Sequence, residues 1–382
     1  MKPFSFSVPQ DVIVGKGSLS KLPEVAKKLD GKHGFIISGP HLNKMGIVNA
    51  CAESLEKAGI KVDAFTQTEG NPSVETVEKA ATAFRESGAD FIIALGGGSP
   101  MDVAKAVGVV AKYGGSITAY EGGGKVPGDI IPLIAIPTTA GTGSEVTAFS
   151  VITDHSRNYK LTVFSYKLIP AYAILDPDLL TTAPASVAAA CGIDAMVHAL
   201  EAYISKDASP FSDAMAEKAL ELIGDNIRCY VADRTNVEAA SGMLVGSLFA
   251  GIAFSWARLG DVHAMSHPIS AYFNVPHGVA NAILLPTIVE YNMLADKGKY
   301  RKIYNYIAQS KIAPNDFAPY MLVDLLKELN EQLGIPASLS EVGVLEEKFD
   351  AMADDAMKSG NISVNPRSTK KQDVIHLYAR AL

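Results

Sequence analysis

Ala89-Asp-Phe-Ile-Ile-Ala-Leu-Gly-Gly-Gly-Ser-Pro-Met-Asp-Val-Ala-Lys105 reads as an apolar strand, three glycines (Gly96 to Gly98) and the start of a helix. That order brings backbone amides and a helix N-terminus close enough to hold a diphosphate. Ser99 is placed to cap the helix, Pro100 suits its first position, and Asp102 completes a capping box. A tight strand-to-helix turn without a ligand accounts for the same glycines. The spacing is not the usual Gly-x-Gly-x-x-Gly, so this is no ordinary Rossmann fingerprint.

The flanking sequence repeats the alternation. Gly34-Phe-Ile-Ile-Ser, Lys61-Val-Asp-Ala-Phe and Ile131-Pro-Leu-Ile-Ala-Ile136 are short apolar runs. Amphipathic stretches such as Val74-Glu-Thr-Val-Glu-Lys-Ala-Ala-Thr-Ala-Phe separate them. Strands without internal alternation, divided by helices, predict a mainly parallel, Rossmann-like sheet covered on both faces. Thr147 to Thr153 and Tyr159 to Ser165 flank a polar turn and predict a hairpin. A second loop, Pro137-Thr-Thr-Ala-Gly-Thr-Gly-Ser-Glu145, follows a strand and offers hydroxyls and amides to ribose and phosphate. Two such loops on one sheet point to a nucleotide or dinucleotide at its carboxyl edge.

Beyond Asp176-Pro-Asp178 the texture becomes helical, interrupted at Pro210, Pro268, Pro286 and Gly334-Ile-Pro336. The expected organisation is an α/β domain over 1–185 followed by an all-α domain over 186–382. The balance of 48% hydrophobic and 20% charged residues is that of a globular protein. A net charge of −7 gives no attraction to nucleic acid or an anionic membrane. Cys51, Cys191 and Cys229 are too widely spaced for a disulfide framework or a cysteine zinc site. The start of the chain lacks a signal-peptide core, and the longest apolar run, Met243 to Phe254, is about half a membrane span. A cytoplasmic protein is expected.

Histidine marks the chemistry. Four of the eight histidines lie between 198 and 277. Asp194-x3-His198 and His263-x3-His267 each place two side chains on one helix face, and His277-Gly278 follows at a helix entry. A single apolar-face histidine is ordinarily a core residue with a satisfied hydrogen bond. Burying this many imidazoles without a ligand would be costly. Nitrogen and carboxylate donors without thiolate suit Fe(II) or Zn(II), and the donors alone do not choose between them.

Taken together, Gly96-Gly-Gly-Ser-Pro-Met-Asp-Val-Ala-Lys105, the 137–145 loop, Asp194-x3-His198, His263-x3-His267-x9-His277 and the tail from Asn365 resemble the iron-containing (group III) alcohol dehydrogenase family. The resemblance spans essentially the whole chain. It implies the dehydroquinate synthase-like architecture, with catalysis in a cleft between the domains and dimers or larger assemblies. It carries metal ligation to Asp194, His198, His263 and His277. Diphosphate contacts fall to Gly97, Gly98 and Ser99, with Asp102 in the same motif. Ribose or nicotinamide contacts fall to Thr138, Thr139, Thr142, Ser144 and Val151, with Lys160 and Leu179 as further cofactor contacts. The implied reaction is reversible hydride transfer between a small alcohol and NAD or NADP, with the metal as Lewis acid.

Two departures bear on specificity. Many members carry an acidic residue where this chain has Gly39, in Ser38-Gly39-Pro40. A carboxylate there would accept from the adenosine ribose and repel a 2′-phosphate. Its absence predicts that NADP is accepted, with His41 or Lys44 as phosphate partners. Phe254 and Trp256 stand where many relatives have asparagine nearby, and with Phe149 they are expected to line an apolar substrate pocket or to pack the core. His267 is either a proton relay or an orienting neighbour of the metal. A sugar-phosphate lyase or polyol dehydrogenase of the same superfamily is the alternative; the lyase would need a basic cluster, for which the ligand segments offer mainly Arg258.

Overall fold

The computed structural model describes residues 3–8 and 10–382. Two compact units emerge: Val8–Thr139 with Ser144–Thr181, and Thr182–Leu382 with Ala140–Gly143 and the residues up to Ser7.

The first unit is α/β. Its strands are β1 (Asp11–Val14), β2 (His33–Ile37), β3 (Lys61–Phe65), β4 (Phe91–Gly96), β5 (Gly122–Gly123), β6 (Leu133–Pro137), β7 (Phe149–Asp154), β8 (Tyr159–Phe164) and β9 (Tyr172–Leu175). Six form one sheet in the order β1-β9-β6-β4-β2-β3, every pair parallel. Helices α1 (Leu22–Lys28), α2 (Pro40–Lys44), α3 (Ile47–Lys57), α4 (Val74–Ser87) and α5 (Gly98–Tyr113) connect them. Strand residues alternate between two cores. Ile36, Phe91, Ile93, Ile134 and Ile136 pack with α1 and α3, whereas Phe35, Ile37, Ile92, Ala94 and Ala135 pack with α4 and α5. Burial on both faces explains the unbroken apolar runs. β7 and β8 form the predicted antiparallel hairpin, and β5 extends it. β1 and β9, four residues each, are too short to stand out in the sequence.

The chain goes from β2 to its neighbour β3, then crosses back to β4 on the other side of β2. The helices leaving β2 and β4 therefore cover opposite faces, which opens a crevice at the carboxyl ends of those strands. The glycine run lies at its rim. Gly96 has φ +149°, and a Cβ there would stand 2.7 Å from Pro100 Cγ. Only glycine allows the chain to turn into α5 so abruptly.

The expected capping box does not form. The N-cap is Gly97, and its helix starts at Gly98, two positions before Pro100. Asp102 is therefore too deep in the helix to reach the free amides. Its carboxylate instead accepts from Ser144 Oγ at 2.8 Å and Val151 N at 3.1 Å, and Ser99 Oγ donates to Gly70 O at 2.7 Å.

The second unit is helical: α6 (Ala185–Ile204), α7 (Pro210–Ala232), α8 (Val237–Ala257), α9 (Asp261–Phe273), α10 (His277–Asn292), α11 (Lys299–Ile307), α12 (Tyr320–Gln332), α13 (Phe349–Lys358) and α14 (Lys371–Ala381). Pro268 and Pro286 lie inside α9 and α10 rather than ending them. Proline costs a helix one internal hydrogen bond, and both residues sit in buried segments where packing sustains the helix.

Among the described residues, three helical stretches, Ala185–Ile204, Val237–Ala257 and His277–Ala295, have the length and composition to cross a membrane, longer than the apolar run read from sequence. Glycine and serine lie within and beside that run, and Glu238 precedes it, without ending the helix. Between 56% and 83% of each apolar window is buried within the fold, so protein packing accounts for the composition.

Gly278 fixes the approach of α10 to α6, because a Cβ there would stand 2.4 Å from the Ala190 carbonyl oxygen. Backbone cannot swing aside as a side chain does. Gly278→Ala should lower unfolding stability by about 1–3 kcal/mol in urea denaturation. A loss below about 0.5 kcal/mol would mean that the two helices are free to separate.

Candidate metal centre and dinucleotide loops

Three helices of the helical unit supply the polar cluster. On α6, Asp194, His198 and Glu201 follow at i, i+4 and i+7 and share one face. His263 is in the first turn of α9, and His277 is the first residue of α10, with Asn281 one turn on. Asp194 Oδ1 lies 3.9 Å from His198 Nε2, 3.7 Å from His263 Nε2 and 3.8 Å from His277 Nε2. Ligands about 2.1 Å from a shared tetrahedral ion stand about 3.4 Å apart. The group is thus a few tenths of an ångström wider than a closed shell. Asp194, His263 and His277 each offer an atom within 4.8 Å of the others. One carboxylate and three imidazoles fit Fe(II) or Zn(II).

Asp194, His198 and His263 are 3%, 5% and 1% exposed, so their charges depend on one another rather than on water. Burial would push the Asp194 carboxyl up, but His198, His263 and His277 hold it well below the usual carboxylate range. Burial pulls His198 down to about 4 despite Asp194. Burial also opposes charge on His263, yet Asp194 and Glu201 lift it to about 9. Asp194 and Glu201, the two buried carboxylates facing His263, favour positive charge at that point.

Glu201 went unassigned in the sequence. Its carboxylate accepts from Val262 N at 2.7 Å and pairs with His263 Nδ1 at 2.7 Å, leaving Nε2 turned toward Asp194. The only signal was its place on the Asp194 face, which needs His263 nearby to be meaningful. His198 Nδ1 lies 3.2 Å from the Gly141 carbonyl oxygen in the same way. His267 stands outside the tight group, half-buried, with its ring 5.2 Å from that of His277 and 6.3 Å from that of His263. The Phe254 ring lies 4.6 Å from that of His198. Trp256 is half-buried on the same helix, while Phe149 packs on Phe164 in the hairpin, 5.0 Å between centroids. Arg258 lies 4.0 Å from Asp207, and its guanidinium occupies the space where a Cβ on Gly360 would be.

In the α/β unit, loops after β2, β3, β4 and β6 meet at the carboxyl edge. Thr138 N donates to Gly96 O at 3.0 Å, and a Cβ on Gly97 would stand 3.0 Å from Thr139 Oγ1. Thr68 N donates to Ser38 O, beside Gly39. The hydroxyls of Ser38 and Thr68 are buried here without a partner among the described residues. Lys160 Nζ donates to Asn71 Oδ1 at 2.9 Å, and Leu179 is buried after β9. Lys105, quoted in the motif without a role, is fully buried: its Nζ meets Ser144 Oγ, Thr147 O, Thr147 Oγ1 and Phe149 O at 2.8–3.2 Å. Burial pulls it down to about 8 against Asp102 and Glu145. It pins the second loop to α5 and so sets where Ser144 and Val151 lie. Thr142 belongs to the 140–143 segment, grouped with the helical unit.

The donor set of the helical unit and the glycine-hydroxyl loops of the α/β unit can each be compared with known proteins. Residues 9–177 match the family model "Iron-containing alcohol dehydrogenase", and residues 188–382 match "Fe-containing alcohol dehydrogenase family, C-terminal". The chain belongs to the iron-containing alcohol dehydrogenase family. It is 37% identical over 381 residues to 1,3-propanediol dehydrogenase of Citrobacter freundii, covering 99% of this chain and 98% of the relative. It is 36% identical over 391 residues to NADPH-dependent butanol dehydrogenase of Clostridium saccharobutylicum, covering 98% and 96%. A crystal structure of 1,3-propanediol oxidoreductase superposes with a TM-score of 0.95 at 36% identity over the whole of both chains.

In this family member, Glu201→Gln would turn an amide N–H toward the N–H groups of Val262 or His263. Removing such outer partners of a ligand typically costs 10- to 100-fold in metal affinity. Chelator competition with Zn(II) should show a loss of about that size in Glu201→Gln while circular dichroism stays unchanged.

Proposed function

We propose that this chain catalyses reversible hydride transfer between a small primary or secondary alcohol and a nicotinamide dinucleotide, and works equally as an aldehyde reductase. The observation carrying this reading is the convergence of the His198, His263 and His277 Nε2 atoms on Asp194 Oδ1. These four residues are the proposed ligands of Fe(II), with Zn(II) as a substitute. The cation supplies Lewis acidity toward the oxygen of the alcohol or aldehyde.

The remaining work belongs to the protein. Asp194 provides the anionic charge, Glu201 orients His263, and the Gly141 carbonyl orients His198. Phe254, against His198, provides an apolar wall that excludes water and favours short carbon chains, with Trp256 and Phe149 as further pocket residues. His267, half-buried beside His277, is the proposed group that passes a proton between the reacting oxygen and solvent. Gly97, Gly98 and Ser99 hold the diphosphate at the start of α5, and Thr138, Thr139, Thr142, Ser144, Val151, Lys160 and Leu179 contact ribose and nicotinamide. Asp102 acts from behind by holding Ser144 and Val151 in place. The first two of those threonines immediately precede the segment whose Gly141 carbonyl lies on His198, so a single run of chain serves both tasks.

A functional division near residue 185 separates cofactor binding in 1–185 from metal and substrate binding in 186–382. A cytoplasmic homodimer or higher homo-oligomer is the proposed working form. The lyase alternative is weaker because Arg258, its main basic candidate, is engaged by Asp207 and lies against Gly360.

Gly39, extended at the entry to α2, presents no carboxylate to the adenosine ribose. NADP is therefore accepted, with exposed His41 and Lys44 next to that position. The butanol dehydrogenase relative, described as NADPH-dependent, supports this. Gly39→Asp should shift preference toward NAD by about tenfold or more, one ribose hydrogen bond to a charged group being worth about 1.5–3 kcal/mol. Titrating the parent enzyme with both cofactors checks the premise, and an enzyme that uses NAD while ignoring NADP overturns it.

The central experiment follows nicotinamide absorbance with short alcohols and aldehydes, using metal-depleted protein reloaded with Fe(II) or Zn(II). Activity should require the metal. His277→Ala should lose bound metal and at least about 100-fold in turnover, the scale of one preorganised electrostatic contact. Undiminished turnover in either protein would refute the assignment.

A further inference from the structure

Asn281 is absent from every role given above, yet it lies at the centre of the cluster. It is fully buried on α10, one turn after His277. Its Nδ2 donates to Asp194 Oδ1 at 2.6 Å and stands 3.1 Å from His263 Nε2 and 3.2 Å from His277 Nε2. These three atoms are the ones expected to bind the cation. Its Oδ1 is buried and has no hydrogen-bond partner among the described residues.

The arrangement is chemically incomplete. An amide nitrogen carries two protons and faces three atoms here, so one of them goes unserved. Where an imidazole nitrogen carries its own proton, two donors oppose each other. The orphaned carbonyl oxygen is a further cost, since buried amide oxygens are almost always paired. A group so poorly satisfied alone, yet surrounded by metal-type donors, makes sense as part of a site completed by something else.

Resting on the reading of this cluster as a metal centre, we infer that Asn281 is a positioning residue for the cation. Its two N–H groups hold Asp194 Oδ1 and one or other of the His263 and His277 Nε2 atoms together beforehand. It surrenders those hydrogen bonds when a cation takes the same lone pairs. Without Asn281, the carboxylate and two imidazoles would face one another across an unfilled space, and the cation would have to gather them itself. Preorganising ligands in this way raises affinity without adding a ligand.

Three measurements test this on the full-length protein. Zn(II) affinity by chelator competition should fall about 10- to 100-fold in Asn281→Ala, the usual effect of losing such a partner. Asn281→Asp sets a carboxylate against Asp194. Its metal-free melting temperature should fall below that of the parent, and its rise on adding Zn(II) should exceed the parent's. A role in packing alone would not give that opposition of signs. In the unaltered protein, the Asn281 side-chain amide resonance should move on Zn(II) addition, a readout that survives if the variants fail to fold. Parent-like affinity in a folded Asn281→Ala, a parent-like Zn(II) response in Asn281→Asp, or an amide signal unmoved by Zn(II) would each overturn the inference. The parallel loss of metal in His277→Ala separates the two failures. If that variant loses Zn(II) and the Asn281 measurements are unchanged, only the role of Asn281 is wrong; if His277→Ala keeps Zn(II), the metal centre itself is misassigned.

Discussion

A buried negative charge governs the helical unit. Asp194, almost without contact with water, is held in a hydrophobic bundle by three imidazoles and one amide. An unpaired carboxylate in such a place would be untenable. The packing of α6, α9 and α10 is therefore tied to the polar cluster: moving one helix away removes a partner from the charge. Gly278, where α10 meets the α6 backbone, is the steric side of the same requirement.

Outer partners make the cluster specific. Glu201 and Gly141 each hold the far nitrogen of a histidine, and in that way aim the other nitrogen inward. Orientation of this kind is a property of metal sites more than of hydrogen-bonded cores, where one satisfied nitrogen suffices. The α/β unit uses a buried lysine for a comparable purpose. Lys105 draws backbone and hydroxyl oxygens of the 144–149 segment onto α5, and Asp102 receives Ser144 and Val151. The loops at the carboxyl edge are thus fixed by charged groups that do not themselves need to meet a ligand.

Differences between expectation and structure have local causes. The capping box failed because the glycine run lets α5 begin at Gly98, leaving Asp102 two residues too far along. Pro268 and Pro286 did not end their helices because tertiary burial outweighs one missing hydrogen bond. The apolar run in α8 proved to be part of a longer helix, in which Gly242 and Gly246 lie against α7. In the last two cases neighbours distant in sequence decided the outcome.

The sequence alone determined the parallel sheet, the helical second half and the residues expected at the metal. The sheet and the helices follow from periodicities, and the group at 194, 198, 263, 267 and 277 from donor types and spacing. The choice of four ligands among those five rested on the family resemblance. It could not disclose Glu201 or Asn281, because a glutamate or asparagine on a buried helix face means nothing until His263 or Asp194 is brought beside it. Strand order, the crossing from β3 back to β4, and the pinning role of Lys105 were likewise decided only by tertiary structure. They are relations between segments, and the physical quantity that fixes them is distance in space, which spacing along the chain does not record.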